Sequence, residues 1–168
     1  MEINFFQNNN GENSEQIEEQ FNMQSVLWFS LGSEDYAIKV DNVQTVLDQM
    51  VLTPIPNTPR FVMGVINLRG LIFPIVDLKE LFQMPREEKK DRMAVVLEID
   101  DMRVGIAVDK VKEVLDIDFA ALQPPPPSLS GLGTEYVLGI HKISNNILIV
   151  IDIAKVISIA SEMINKYA

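Results

Sequence analysis

The chain has no cysteine, and only one histidine and one tryptophan, among its 168 residues. Without a thiol there is no disulfide framework, no cysteine nucleophile and no thiolate metal site. A single imidazole cannot supply the histidine pair that holds most transition metals. No apolar run reaches the roughly 18 residues that a membrane-spanning helix needs, and the N-terminal stretch is acidic where a signal peptide is basic. Positive charge is scarce as well: 14 Lys and Arg stand against 24 Asp and Glu, for a formal net charge of −10. That balance argues against a partner bound through a phosphate backbone, which requires clustered cations. The expectation is a soluble, cytoplasmic protein with no direct membrane insertion and no nucleic-acid partner. A chain of this length can bury roughly 70% of its unfolded surface and needs no staple.

Catalytic chemistry is equally thin. His141 stands alone on an apparent strand, where the related segment has Ile66, and a general base needs an orienting partner. No G-x-S-x-G, H-E-x-x-H or phosphate-cradling loop occurs. Asp100-Asp101 lacks the alternating oxygen ligands of a calcium loop and reads as a hairpin turn. Asp77 and Asp152 recur as a pair and read as helix caps. The expectation is a protein that is not an enzyme and carries no metal and no cofactor.

What the chain does have is an internal repeat. AIKVDNVQTVL (37–47) matches GIAVDKVKEVL (105–115) at an offset of 68, and GVINLRGLIFPIVDLKELF (64–82) matches GIHKISNNILIVIDIAKVI (139–157) at an offset of 75. The shared positions are mostly apolar and describe a shared core. The unshared ones include Asn67, Arg69 and Gly70, opposite Lys142, Ser144 and Asn145. A scaffold kept twice but charged in one copy marks the place to look for function.

Residues 1–24 carry five Glu and no Lys or Arg, and read as a disordered acidic tail. The body, 25–168, is expected to hold two interleaved barrel subdomains, with a first half at about 25–84, a charged connector at 85–92 read as a solvated loop, a second half at about 92–157 and a C-terminal helix at about 153–166. Hairpins are expected at 26–40, 62–78, 93–108 and 136–153, from alternating strands around Gly32-Ser33, Arg69-Gly70, Asp100-Asp101 and Ser144-Asn145. Short helices are expected at 41–47, started by Asp41, at 109–115, and as one turn at KELF with Asp77 as cap. The proline-rich TPIPNTP (53–59) cannot be a central strand, and QPPPP (123–127) reads as a stiff extended stretch. A single short sheet would leave open edges, so the fold expected is mainly β: two β-barrels related by a pseudo-twofold, their seam covering the long apolar strands on both faces. Alternation along Asn67-Leu68-Arg69 puts Asn67 and Arg69 on one face. Arg69 is then either a solvated or paired residue, or an interface anchor whose planar fork suits directed hydrogen bonds.

VINLRGLIFPIVDL (65–78), preceded by IPNTPRFVMG (55–64), strongly resembles the signature region of the CheW family of chemotaxis coupling proteins. The likeness extends through DYAIKVDNVQTVL and VGIAVDKVKEVL to the final IDIAKVI, covering roughly 25–157. It implies two five-stranded SH3-like barrels and an adaptor without catalysis. The implied partners are the regulatory domain of the histidine kinase CheA and the cytoplasmic hairpin tip of chemoreceptors, with recruitment to membrane-associated receptor arrays. The implied receptor-binding groove holds Val43, Thr45, Val46, Gly64, Asn67, Arg69 and Gly70 from the first half, and Val111 and Val114 from the second. The family often has Glu where this chain has Thr45, which removes one possible partner for Arg69 or for a receptor cation. With no phosphoacceptor segment, ATP site or receiver in view, a stand-alone adaptor is expected. Two alternatives are a small nucleic-acid-binding barrel, opposed by the net charge, and an enzyme with a site spread along the groove, opposed by the lack of acid–base partners.

Overall fold

Among the described residues there are ten strands, eight of them in four hairpins closed by well-placed turns. The computed structural model describes residues 21–85, 92–127 and 134–167. The strands are β1 (Met23–Leu31), β2 (Glu34–Lys39), β3 (Val43–Leu47), β4 (Val62–Leu68), β5 (Leu71–Asp77), β6 (Met93–Ile99), β7 (Met102–Val108), β8 (Lys110–Asp118), β9 (Val137–Ile143) and β10 (Asn146–Ile151). One helical turn, Leu78–Leu81, follows β5, and a helix, Ile153–Tyr167, ends the chain. Two five-stranded sheets result, in the orders β8-β1-β2-β10-β9 and β3-β6-β7-β5-β4. Each is an SH3-like barrel; the first is called barrel one and the second barrel two.

The halves of the sequence are not the barrels. Barrel one takes β1 and β2 from the first repeat and β8, β9 and β10 from the second, and barrel two takes the complement. Exchanging the repeats, β1 for β6 through β5 for β10, turns one strand order into the other, as a pseudo-twofold requires. The chain crosses between barrels at Val40–Asn42 and again at Asp109.

This exchange explains the unbroken apolar runs. In β1, Val26 and Trp28 fill the interior of barrel one, while Leu27, Phe29 and Leu31 point into a central core between the barrels. In β6, Val96 faces the interior of barrel two, and Val95, Leu97 and Ile99 join the same central core. A strand covered on both faces loses polar alternation. The C-terminal helix adds Ile153, Val156, Ile157 and Ala160 to the central core.

Two helices expected from the sequence are strands. Residues 40–42 form a single 3-10 turn with no side-chain cap, and β3 follows, pairing Val43 with Leu97 and Leu47 with Ala94. The segment expected as a helix at 109–115 is mostly β8, which pairs with β1 from Met23↔Asp118 to Ser30↔Lys110. V-x-x-V-L fits a helical stripe, but its β-branched residues also fit a pleated sheet, and an otherwise open sheet edge decides between the two. The proline-rich stretch behaves as expected: Thr53 makes only an isolated bridge to Val65. Met23 and Gln24 belong to β1, and the rest of the expected acidic tail up to residue 20 lies outside the described residues. So do 86–91 of the connector and 128–133 of the Ser/Gly loop. Arg92, expected in the solvated connector, is instead 14% exposed and ion-paired to Asp77 at 2.7 Å.

Candidate functional site

The β4–β5 hairpin is closed by two residues, with Leu68 paired to Leu71. Arg69 and Gly70 both have positive φ, 53° and 81°, as a type I′ turn demands. The Asn67 side-chain oxygen accepts a hydrogen bond from the Gly70 N–H at 2.9 Å and fixes the turn. A Cβ on Gly70 would meet nothing within 4 Å, so glycine is needed there for its backbone angle and not for space. Arg69 therefore leaves from the tip of a turn and not from a strand face, which corrects the alternation reading. It is exposed, and among the described residues it has no acid within ion-pair distance.

Arg69 borders an open cavity of about 600 Å³. Leu68, Leu71 and Phe73 of the hairpin form one wall, and Gln44, Thr45 and Leu47 of β3 form the other. β3 and β4 are the two ends of the strand order in barrel two, so the cavity lies where the curled sheet returns on itself. Its floor is apolar and its rim polar. Gln44 donates from Nε2 to Glu98 of β6, which holds the rim residue in place. Leu71 is 42% exposed and the next residue, Ile72, 56%. The lining residues Gln44, Leu47, Leu68, Leu71 and Phe73 were not singled out from sequence. A usable signal was present, since large apolar residues beside a hairpin tip rarely serve the turn itself.

Of the nine residues expected in a groove, Thr45 and Arg69 come together at this cavity. Asn67 and Gly70 build the turn that carries Arg69. Val43, Val46 and Val111 are half-buried and pack against the central core. Val114 is 55% exposed on β8, in barrel one, and does not line the cavity. Gly64 is buried: a Cβ there would lie 2.5 Å from the Thr53 carbonyl oxygen, and its φ is 144°. Gly64 is thus where the 53–59 segment crosses β4. Its repeat partner Gly139 plays the same part, with a would-be Cβ 2.7 Å from Leu122 Cβ.

Several titratable groups have structural partners. Asp77 Oδ1 accepts from the Lys79 N–H at 3.0 Å, and Asp152 Oδ1 from the Lys155 N–H at 3.2 Å, so both cap the helical segments that follow them. His141 is half-buried on β9, paired with Leu148. Tyr36 is buried and donates to Glu34 at 2.5 Å; burial first, then that bond and the Glu34 charge, push its phenol well up, so it stays protonated. Two cations lie over aromatic rings: Lys39 over Phe119, and Lys112 over Trp28, with Lys112 also paired to Asp35. Among the described residues no group of three or more His, Asp or Glu is placed to hold a metal, and no helix is long and apolar enough to cross a membrane.

Residues 25–161 match the family model described as CheW-like domain. The chain belongs to the CheW family. Curated CheW-family relatives include the chemotaxis protein CheW of Klebsiella aerogenes, 38% identical over 136 residues, covering 80% of this chain and 82% of that one. The chemotaxis protein CheW of Thermotoga maritima is 34% identical over 132 residues, covering 79% and 86%. Among solved structures, the scaffolding protein TtCheW of Thermoanaerobacter tengcongensis superposes with a TM-score of 0.72 at 35% identity, covering 80% of this chain and 92% of that one. As a CheW-family protein the chain is a chemotaxis coupling adaptor of the scaffold type. The nucleic-acid alternative is not favoured, since this family accounts for the double barrel without it.

Proposed function

We propose that this adaptor joins the cytoplasmic hairpin tip of a chemoreceptor to the regulatory domain of the histidine kinase CheA, without catalysis, in the cytoplasm at membrane-associated receptor arrays. We assign the receptor side to the cavity between β3 and the β4–β5 hairpin. The observation that carries this is the meeting of Arg69 and Thr45 over an apolar floor, with the guanidinium free of any acidic partner among the described residues. An apolar anchor from a helical tip would fill the floor, and the unpaired guanidinium would take a carbonyl or carboxylate beside it. Thr45 in place of the family's frequent Glu leaves Arg69 free for the incoming chain. Asn67 and Gly70 shape the turn that presents Arg69, Val43, Val46 and Gly64 belong to the strands of the same barrel, and Val111 and Val114 offer apolar area on β8 of the other barrel. Tethering two partners on one small body raises their local concentration, and this is the adaptor's physical contribution.

Calorimetric titration with a receptor hairpin tip and, separately, with the kinase regulatory domain tests the proposal. Arg69→Glu is expected to weaken the tip by about thirtyfold or more, the loss typical of a buried interface anchor, while kinase-domain affinity and thermal melting stay close to the parent. Equal loss of both partners together with a lowered melting point would make Arg69 structural and end the assignment.

A further inference from the structure

The two chain crossings between barrels are equivalent by the internal repeat and chemically unlike. At one of them, Asp109 lies between β7 of barrel two and β8 of barrel one. Its carboxylate accepts from the Gly32 N–H in the β1–β2 turn at 2.6 Å, and its own N–H donates to the Ser30 carbonyl at 3.0 Å, both in barrel one. From barrel two, Lys79 Nζ reaches the same carboxylate at 2.7 Å, and Arg92 Nε stands 3.7 Å away. Arg92 also donates to Asp77 at 2.7 Å and to the Ala107 carbonyl at 3.3 Å. Asp77 and Arg92 are each 14% exposed, and Lys79 16%.

At the other crossing, Val40–Asn42, the repeat puts Asp41 in place of Asp109, Gln24 in place of Arg92, Ala154 in place of Lys79 and Asp100 in place of Gly32. Both cations are gone. Asp41 is exposed and has neither an ion pair nor a side-chain hydrogen bond among the described residues, and the Gln24 amide turns to Asn22. Beside that crossing lies a small, solvent-open cleft of about 100 Å³, lined by Lys39, Asn42, Leu138, Ile151, Asp152 and Ile153. An exposed carboxylate without a partner costs little to move, because water solvates it in any position. A partly buried ionic cluster, by contrast, fixes geometry, because parting its members strands a charge in a poorly solvated place.

We propose that Asp77, Lys79, Arg92 and Asp109 form a latch that pins the two barrels at one crossing, and that relative movement of the barrels is taken up at Val40–Asn42. The latch also bears on the cavity, since β6 starts beside Arg92 and pairs with β3, one of the cavity walls.

The absence of cysteine makes paired spin labelling clean. Labels at Arg103→Cys in barrel two and Lys142→Cys in barrel one, both exposed sites, report the inter-barrel distance in the full chain by pulsed electron paramagnetic resonance. Asp109→Asn and Arg92→Met are expected to broaden the distance distribution, and Asp41→Asn to leave it as narrow as the parent. Amide exchange at Gly32 should quicken by about tenfold in Asp109→Asn, the change expected when the acceptor of its hydrogen bond loses its charge, while Trp28 and Val96 inside the barrels hold their rates. Should Arg92→Met fail to fold, Asp109→Asn and Lys79→Met carry the test. An unchanged distribution in Asp109→Asn, or equal broadening in Asp41→Asn, would overturn the latch.

Discussion

Two glycines of the signature stretch show how one residue type serves two purposes. Gly64 lies against the Thr53 backbone, so a methyl group there would push into a carbonyl oxygen at 2.5 Å. Gly64→Ala should cost about 2 kcal/mol or more, because both the packing and the backbone angle resist it. Gly70→Ala meets open space and should cost about 1 kcal/mol, for the angle alone. Urea unfolding of the two variants checks the order, and a smaller loss at Gly64 than at Gly70 would refute it. Tyr36 makes a different prediction. It stacks on Phe29 at 6.1 Å and meets Phe82 at 5.9 Å, and its phenol titrates above the ordinary 10.0. A folded-state pKa raised in this way contributes stability below about pH 10 and loses it as pH climbs, because the unfolded chain ionises first. Tyr36→Phe should therefore flatten the alkaline fall in unfolding midpoint, and an unchanged slope would count against that origin. At this scale Asn67, Arg69 and Gly70 were legible as special, but their division of labour was not. Strand alternation carries no information once two residues become a turn.

Among the elements, hairpins and caps could be read locally. Gly32-Ser33, Arg69-Gly70 and Asp100-Asp101 sit at the turns of β1–β2, β4–β5 and β6–β7, and Asp77 and Asp152 cap as their spacing suggests. Asp152→Ala should lower stability by about 1 kcal/mol, the usual worth of an N-cap. Asp77→Ala should cost clearly more, since it also strips Arg92 of a partner at 2.7 Å and leaves that cation half-buried. Thermal melting of the pair tests this, and equal losses would mean that Arg92 adds nothing. β3 and β8 carry a helical stripe and yet are strands, for a physical reason. Their apolar spacing satisfies both periods, and only the partner strand, β6 for one and β1 for the other, makes the extended form the stable one.

For the whole molecule the consequence of exchange is direct. A fragment 1–84 would hold β1 and β2 without β8, β9 and β10, and β3, β4 and β5 without β6 and β7; the fragment 92–168 would hold the complement. Neither should melt cooperatively alone, and an equimolar mixture should regain the β signal in circular dichroism. A cooperative transition in either fragment by itself would contradict the exchanged pairing. The repeat, eight of the ten strands, the Asp77 and Asp152 caps and the family signature around Arg69 were set by the order of residues, because each depends on neighbours close in sequence or on periodicity along one segment. Which copy's hairpin completes which barrel was decided only in three dimensions, since two near-equivalent sets of strands offer the same apolar faces. The cavity beside Arg69 and the one-sided charge cluster at Asp109 belong to the same class: both join side chains apart along the chain, the first through closure of barrel two and the second where the chain passes from one barrel to the other.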